Sequence, residues 1–194
     1  MAERNALVYG RAAPRFSIDS LEGTLHSAGL SITHPSTHLV MVLDDQGDRT
    51  ALSLGAFRHL LHQSHGASFQ WWLADDHDVY CRIREVGDVC IVELGMEGCN
   101  PAEIQRIRDT LEAQIGLINE ISIGLVFDPQ GVTEDYEWDR FFVHGDRLCA
   151  SDVPHGFPDV LGVELSAFGR ITCLPSNVSV VSKGNWVICS VDRD

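Results

Sequence analysis

A chain of 194 residues, 44% of them apolar, is long enough and apolar enough to bury one substantial core, which excludes general disorder. Its net charge of −14 repels nucleic-acid phosphates and acidic membranes. No run of about 18 apolar residues offers a transmembrane helix.

The opening residues lack the charged-then-apolar layout of a secretory signal, so a cytoplasmic home is expected. Thirteen arginines against one lysine point to a GC-rich bacterial coding bias, which carries no function. A short strand is expected at 6–9. A capping-box pattern from Asp19 to Glu22 opens a helix over 18–28 that Gly29 stops. Residues 38–43 read as a strand and 44–48 as a turn, too short and without the final Glu for a calcium loop. A helix over 55–64 places Phe57, Leu60 and Leu61 at core spacing.

The central stretch is the most regular. Phe69, Trp71 and Leu73 alternate with Gln70, Trp72 and Ala74 as a strand requires. Asp75, Asp76, His77 and Asp78 turn the chain into a strand over 79–86, and Gly87 and Asp88 reverse it into 89–94. That two-residue reversal sets Arg82 opposite Glu93. Asn100, Pro101 and Glu103 start a helix over 101–119, whose stripe of Ile104, Ile107, Leu111, Ile115 and Ile118 fits a sheet surface. The alternating run 121–127 is the next strand of that sheet.

Thr133 is placed to cap a helix over 134–143. Glu134, Asp135 and Glu137 stand in its first turn, Trp138, Phe141 and Phe142 on its buried side, and Tyr136, Asp139 and Arg140 outward. Residues 145–158 read as a long loop, and 160–191 as three or four closing antiparallel strands. Val42, Asp44, Gln46 and Gly47 recur in register as Val126, Asp128, Gln130 and Gly131. This echo comes either from a turn used twice or from a duplication with halves 1–100 and 101–194. The fold expected is a single α+β domain over 1–194, a mostly antiparallel sheet with several packed helices.

Chemistry is sparsely signalled. His59, His62 and His65 recur every third residue, but only two of the three share a helix face, and His34 and His38 complete a metal site only through an unread tertiary approach. The six cysteines lack metal-ligand spacing and read as small, reduced core residues. No metal and no cofactor is expected. A general acid–base pair or cation site at the 75–78 tip competes with ordinary turn chemistry, and no nucleophile motif occurs.

Charge is more informative. Residues 69–100 hold seven acids against two arginines, and 128–160 hold eight against two. Acids beside aromatic rings suit docking of a basic protein, such as a cationic toxin met by an immunity- or antitoxin-like inhibitor. The expected binding residues are Asp75, Asp76, Asp78, Glu137 and Asp139, with Trp72 and Tyr136 as anchors. Trp72 or Tyr80 stands exposed if one sheet face is open. The alternative is a small-ligand or metal-dependent, hydrolase-like enzyme, with His144 and His155 lining a pocket between the halves. Self-association through a sheet edge is a third reading, and the oligomeric state is left open.

Overall fold

The computed structural model describes residues 4–11, 18–64, 66–115 and 122–191. In chain order these give β1 (Asn5–Arg11), α1 (Ile18–Ser27), β2 (Val40–Leu43), β3 (Arg49–Leu52), α2 (Leu54–Gln63) and β4 (Gly66–Ala74). Then come β5 (His77–Val86), β6 (Val89–Gly95), α3 (Pro101–Ile115), β7 (Ser122–Asp128), α4 (Trp138–Phe142) and β8 (Leu148–Cys149). A 3-10 turn (Ala150–Asp152), β9 (Val160–Glu164), α5 (Leu165–Phe168), β10 (Ile171–Cys173), β11 (Val178–Lys183) and β12 (Trp186–Val191) follow.

Ten of the strands form one sheet in the order β11-β12-β9-β7-β1-β6-β5-β4-β2-β3, antiparallel at every junction. The expectation of an α+β fold on a largely antiparallel sheet is met. β5 and β6 pair in the register read from the Gly87 reversal, with Arg82 opposite Glu93. That register leaves Cys81 opposite Leu94 and Cys90 opposite Glu85, so the two strand cysteines do not meet.

Alternation gives each strand two faces. One face carries α1, α2 and α3, over a core of Val8, Phe57, Phe69, Trp71, Val92, Leu94, Ile107, Leu111 and Phe127. The helix ends follow their sequence signals. Asn100 Oδ1 accepts the backbone N–H of Ala102 and Glu103, and Glu103 accepts that of Asn100. Gly29, at φ +87°, ends α1: its N–H bonds the His26 carbonyl while that of Leu30 bonds the Leu25 carbonyl. Ile118 lies outside the described residues, as does the end of the helix expected to 119.

The second face is covered over only part of its width. Tyr9, Ile91, Val126, Leu161, Val163 and Val187 pack under Trp138, Phe141, Phe142, Leu148 and Phe157. Gly124 faces Phe142 so closely that a Cβ there would overlap the ring. Over β5 the same face is open at Tyr80, which is 37% exposed with its hydroxyl 2.9 Å from that of Ser68, although Gln70 and Trp72 of β4 are buried there.

Three expectations are corrected. The helix placed at 134–143 is only Trp138–Phe142, because the Thr133 hydroxyl bonds the buried Asp128 carboxylate instead of capping and 133–137 fold as turns. The long loop 145–158 contains β8, which pairs parallel with β10, so β10 stands outside the main sheet. That pair sets Cys149 opposite Cys173 with Cα atoms 4.8 Å apart, and a disulfide joins them. Cys81, Cys90, Cys99 and Cys189 are buried free thiols. Burial pushes Cys90 up to about 12 and Cys99 and Cys189 up to about 11.

The repeated Val-x-Asp-x-Gln-Gly pattern is accounted for by its turn. In each copy the Gly N–H bonds the Asp carbonyl and the Gly has positive φ. The turn accounts for the shared Asp and Gly, and the fold does not show the duplication into two halves. No helix among the described residues is long and apolar enough to cross a membrane.

Candidate functional site

Where the cover on the second face ends, a step falls from the 133–144 segment to the open sheet. This step forms a cleft of about 680 Å³, floored by Asn5, Leu7, Tyr9, Arg84 and Glu93 and walled by residues between Thr133 and His144. The wall is built from Asp128. Fully buried at the end of β7, its carboxylate accepts the backbone N–H of Val132 (3.1 Å) and Thr133 (2.7 Å) and the Thr133 hydroxyl (2.8 Å). Thr133 Oγ1 in turn accepts from Trp138 Nε1 at 3.1 Å. One carboxylate thus sets the loop, and the loop sets the indole that starts α4.

Asp139 fastens the wall to the floor. Arg84 donates to it through both terminal guanidinium nitrogens, at 2.6 and 2.9 Å, and the Tyr9 hydroxyl donates at 2.9 Å. Tyr9 also stacks on Phe142 at 4.3 Å. Burial opposes ionisation of Asp139, but the bonds from Arg84 and Tyr9 outweigh it and hold its pKa below the usual value. Burial and then the Asp139 charge drive the Tyr9 phenol upward, and Asp139 does the same to the Arg84 guanidinium. All three groups are therefore locked in their neutral-pH states. The triad is a clamp and has no proton to exchange near neutrality.

The rim carries the charge that remains. Glu134 and Glu137 are exposed, Arg140 pairs with Asp146 at 3.0 Å, and His144 stands at the edge. Four carboxylates (Glu93, Glu134, Glu137 and Asp139) and two guanidiniums line the cleft, and both guanidiniums are engaged by an aspartate. The surplus is negative.

The residues expected to bind divide into two groups. Glu137, Asp139 and Tyr136 meet in this cleft, but Asp139 turns inward to the clamp, and Tyr136 is half-buried edge-on against Trp138 at 4.8 Å. The expectation that both face outward is corrected. Asp75 and Asp76 are exposed at a two-residue reversal, since β5 already begins at His77. Asp78 is half-buried and accepts from Gln70 Nε2 at 2.6 Å. Along β5, Asp78 and Arg84 lie about 20 Å apart, so the two acidic groups are separate patches on one sheet face.

Trp72 is only 5% exposed. Segment 31–37 closes over it: Ser31 pairs with its backbone, and His34 meets its ring edge-on at 4.4 Å. His34 Nδ1 accepts the N–H of Ser36 (3.2 Å), so Nε2 donates to the Asp75 carbonyl (3.1 Å), and the Ser36 hydroxyl donates to the Asp75 carboxylate. Tyr80 is therefore the exposed ring of the open face. His59 and His62 are exposed on α2, and His65 lies outside the described residues.

His144 and His155 do not converge. His155 pairs with Asp135 at 3.1 Å and borders a separate hollow with Val132, Phe157 and Asn177.

No protein-family model matches this chain, and neither does any curated protein or solved structure. Sequence reading missed Tyr9, Arg84 and Glu93, which come from β1, β5 and β6. Only the Arg82–Glu93 register hinted that β5 and β6 share this face.

Proposed function

We propose that this chain is a non-catalytic binding protein for a basic protein, with the 133–144 cleft as the seat of a lysine or arginine side chain; the Cys149–Cys173 disulfide argues against the cytoplasmic home expected from the sequence. A bacterial immunity- or antitoxin-like inhibitor of a cationic toxin is one concrete form. The observation that carries this reading is the cleft's negative surplus: Glu134 and Glu137 stand at the mouth, while the guanidiniums beside them are already neutralised by Asp139 and Asp146. A cation entering there meets the Glu137 carboxylate and the Tyr136 ring, and the neighbouring guanidiniums do not compete for that place because Asp139 and Asp146 hold them.

The test titrates Lys- and Arg-rich peptides, some carrying aromatic neighbours, against the full chain at rising ionic strength. Binding should weaken steeply with salt, and Glu134→Lys with Glu137→Lys should abolish it. Peptide binding indifferent to salt or to that double change would sink the reading.

The cleft's volume lies in the range of small-molecule sites, and this favours a second reading, a small cationic ligand held in the same place. Hydrolase-like catalysis is less well supported, because Tyr9 and Asp139 are driven away from neutrality in opposite directions and neither is poised to move a proton.

A further inference from the structure

At the far end of β5 from the cleft, three elements bring together donor atoms of three chemistries. His77 begins β5, Cys99 lies in the loop after β6, and Glu103 stands in the first turn of α3. One donor atom from each lies within 4.8 Å of the others, the one such grouping of metal-binding side chains among the described residues.

The hydrogen bonds fix which atoms point inward. His77 Nε2 lies 3.1 Å from the Gly98 carbonyl, which can only accept, so Nε2 carries the proton of the neutral ring. Nδ1 is then a bare lone pair, and it faces Glu103 Oε1 at 3.6 Å. A proton on Nδ1 or a metal ion between the two atoms satisfies both. The other carboxylate oxygen, Glu103 Oε2, is held from behind by the Asn100 N–H at 2.8 Å. Both His77 and Glu103 therefore have the outer partners that orient metal ligands. Cys99 closes the triangle from the core side at 5% exposure, while the His77 side chain is 28% exposed and gives an ion a way in.

We propose that His77 Nδ1, Cys99 Sγ and Glu103 Oε1 form a three-ligand site for a zinc-class divalent cation, with the fourth position open to water. A thiolate beside an imidazole and a carboxylate selects zinc or cobalt over magnesium or calcium. Tetrahedral zinc places its ligand atoms about 3.5 Å apart, so the grouping needs to contract by about 1 Å. On binding, the Cys99 thiol proton passes to solvent and the sulfur electron pair to the metal. The site is independent of the cleft, and failure of either reading leaves the other standing.

The test adds Co²⁺ alone to the chelator-treated full chain. One equivalent should bind, with visible bands of a tetrahedral ion and a near-ultraviolet thiolate-to-cobalt band, and Zn²⁺ should bleach both. Cys99→Ser should remove the near-ultraviolet band, and His77→Ala should weaken Co²⁺ binding about tenfold or more. Absence of the bands in the parent chain would leave only a His77–Glu103 ion pair and overturn the site. So would a Cys99→Ser spectrum identical to the parent's. If Cys99→Ser does not fold, the partly exposed His77→Ala decides, and unchanged Co²⁺ affinity there rejects the proposal.

Discussion

Asp44 and Asp128 head the same turn in two environments. Each carbonyl accepts the N–H of a glycine three residues on, Gly47 at 3.0 Å and Gly131 at 3.2 Å, and each carboxylate gathers backbone N–H groups beyond it. The first turn is exposed and joins a hairpin at the sheet edge, β2 to β3. The second is buried, and its carboxylate also holds the Thr133 hydroxyl that positions Trp138. Water replaces a lost bond in the first turn and cannot reach the second. The same residues therefore carry different energetic weight, and only the second turn positions a candidate site.

The largest expected effect is at Asp128. Asp128→Ala strands two backbone N–H groups and a hydroxyl in a buried loop and should cost about 3 kcal/mol or more. Urea unfolding of the full chain checks it, and a loss below about 1 kcal/mol would mean that the wall does not rest on this carboxylate. Asp139→Asn comes next. It breaks the clamp that pins the same wall to Arg84, but at a site about one-quarter exposed, so about 1–2 kcal/mol is expected. Because the folded pKa of Asp139 is depressed, its stabilisation is fully present above the ordinary carboxylate range and is lost as pH falls through the lower folded value. The variant should accordingly show a flatter acid limb in a plot of melting temperature against pH. An unchanged acid limb would show that the clamp contributes nothing to folding.

Much of this contrast was hidden in the sequence for a physical reason. Local signals were legible: the Asn100–Glu103 cap, the Ile104, Ile107 and Leu111 stripe, the Gly29 stop and the Arg82–Glu93 register all depend on residues a few positions apart or on one tight reversal. The site was not. Tyr9 and Asp139 are separated by most of the chain, and whether Asp139 points to water or to Arg84 depends on β1 lying between β6 and β7. A hydroxyl before acidic residues commonly caps a helix, as Thr133 is placed to do, but the buried carboxylate of Asp128 five residues earlier takes that hydroxyl instead. Strand alternation exposes Trp72 or Tyr80 only where one sheet face is open, and segment 31–37, with no periodic signal of its own, covers Trp72 and leaves Tyr80 exposed. Cys149 and Cys173 gave no spacing cue, since a two-residue parallel pairing leaves none.

The smallest effects test whether the turns themselves are equivalent. Gly47→Ala forces a side chain to φ +84° with open space around it, so the cost is the backbone penalty alone, about 1 kcal/mol. Asp44→Ala should cost less, about 0.5 kcal/mol, because the N–H groups of Gln46 and Asp48 that it releases are at the surface and turn to water. Measured beside Asp128→Ala in one urea series, the two aspartates should differ severalfold although each heads an Asp-x-Gln-Gly turn. If Asp44→Ala is as damaging as Asp128→Ala, the exposed hairpin is itself a folding element and burial is not what separates the two turns. If both are mild, the Thr133–Trp138 wall is held chiefly by the Asp139 clamp, and the order of the two larger effects reverses.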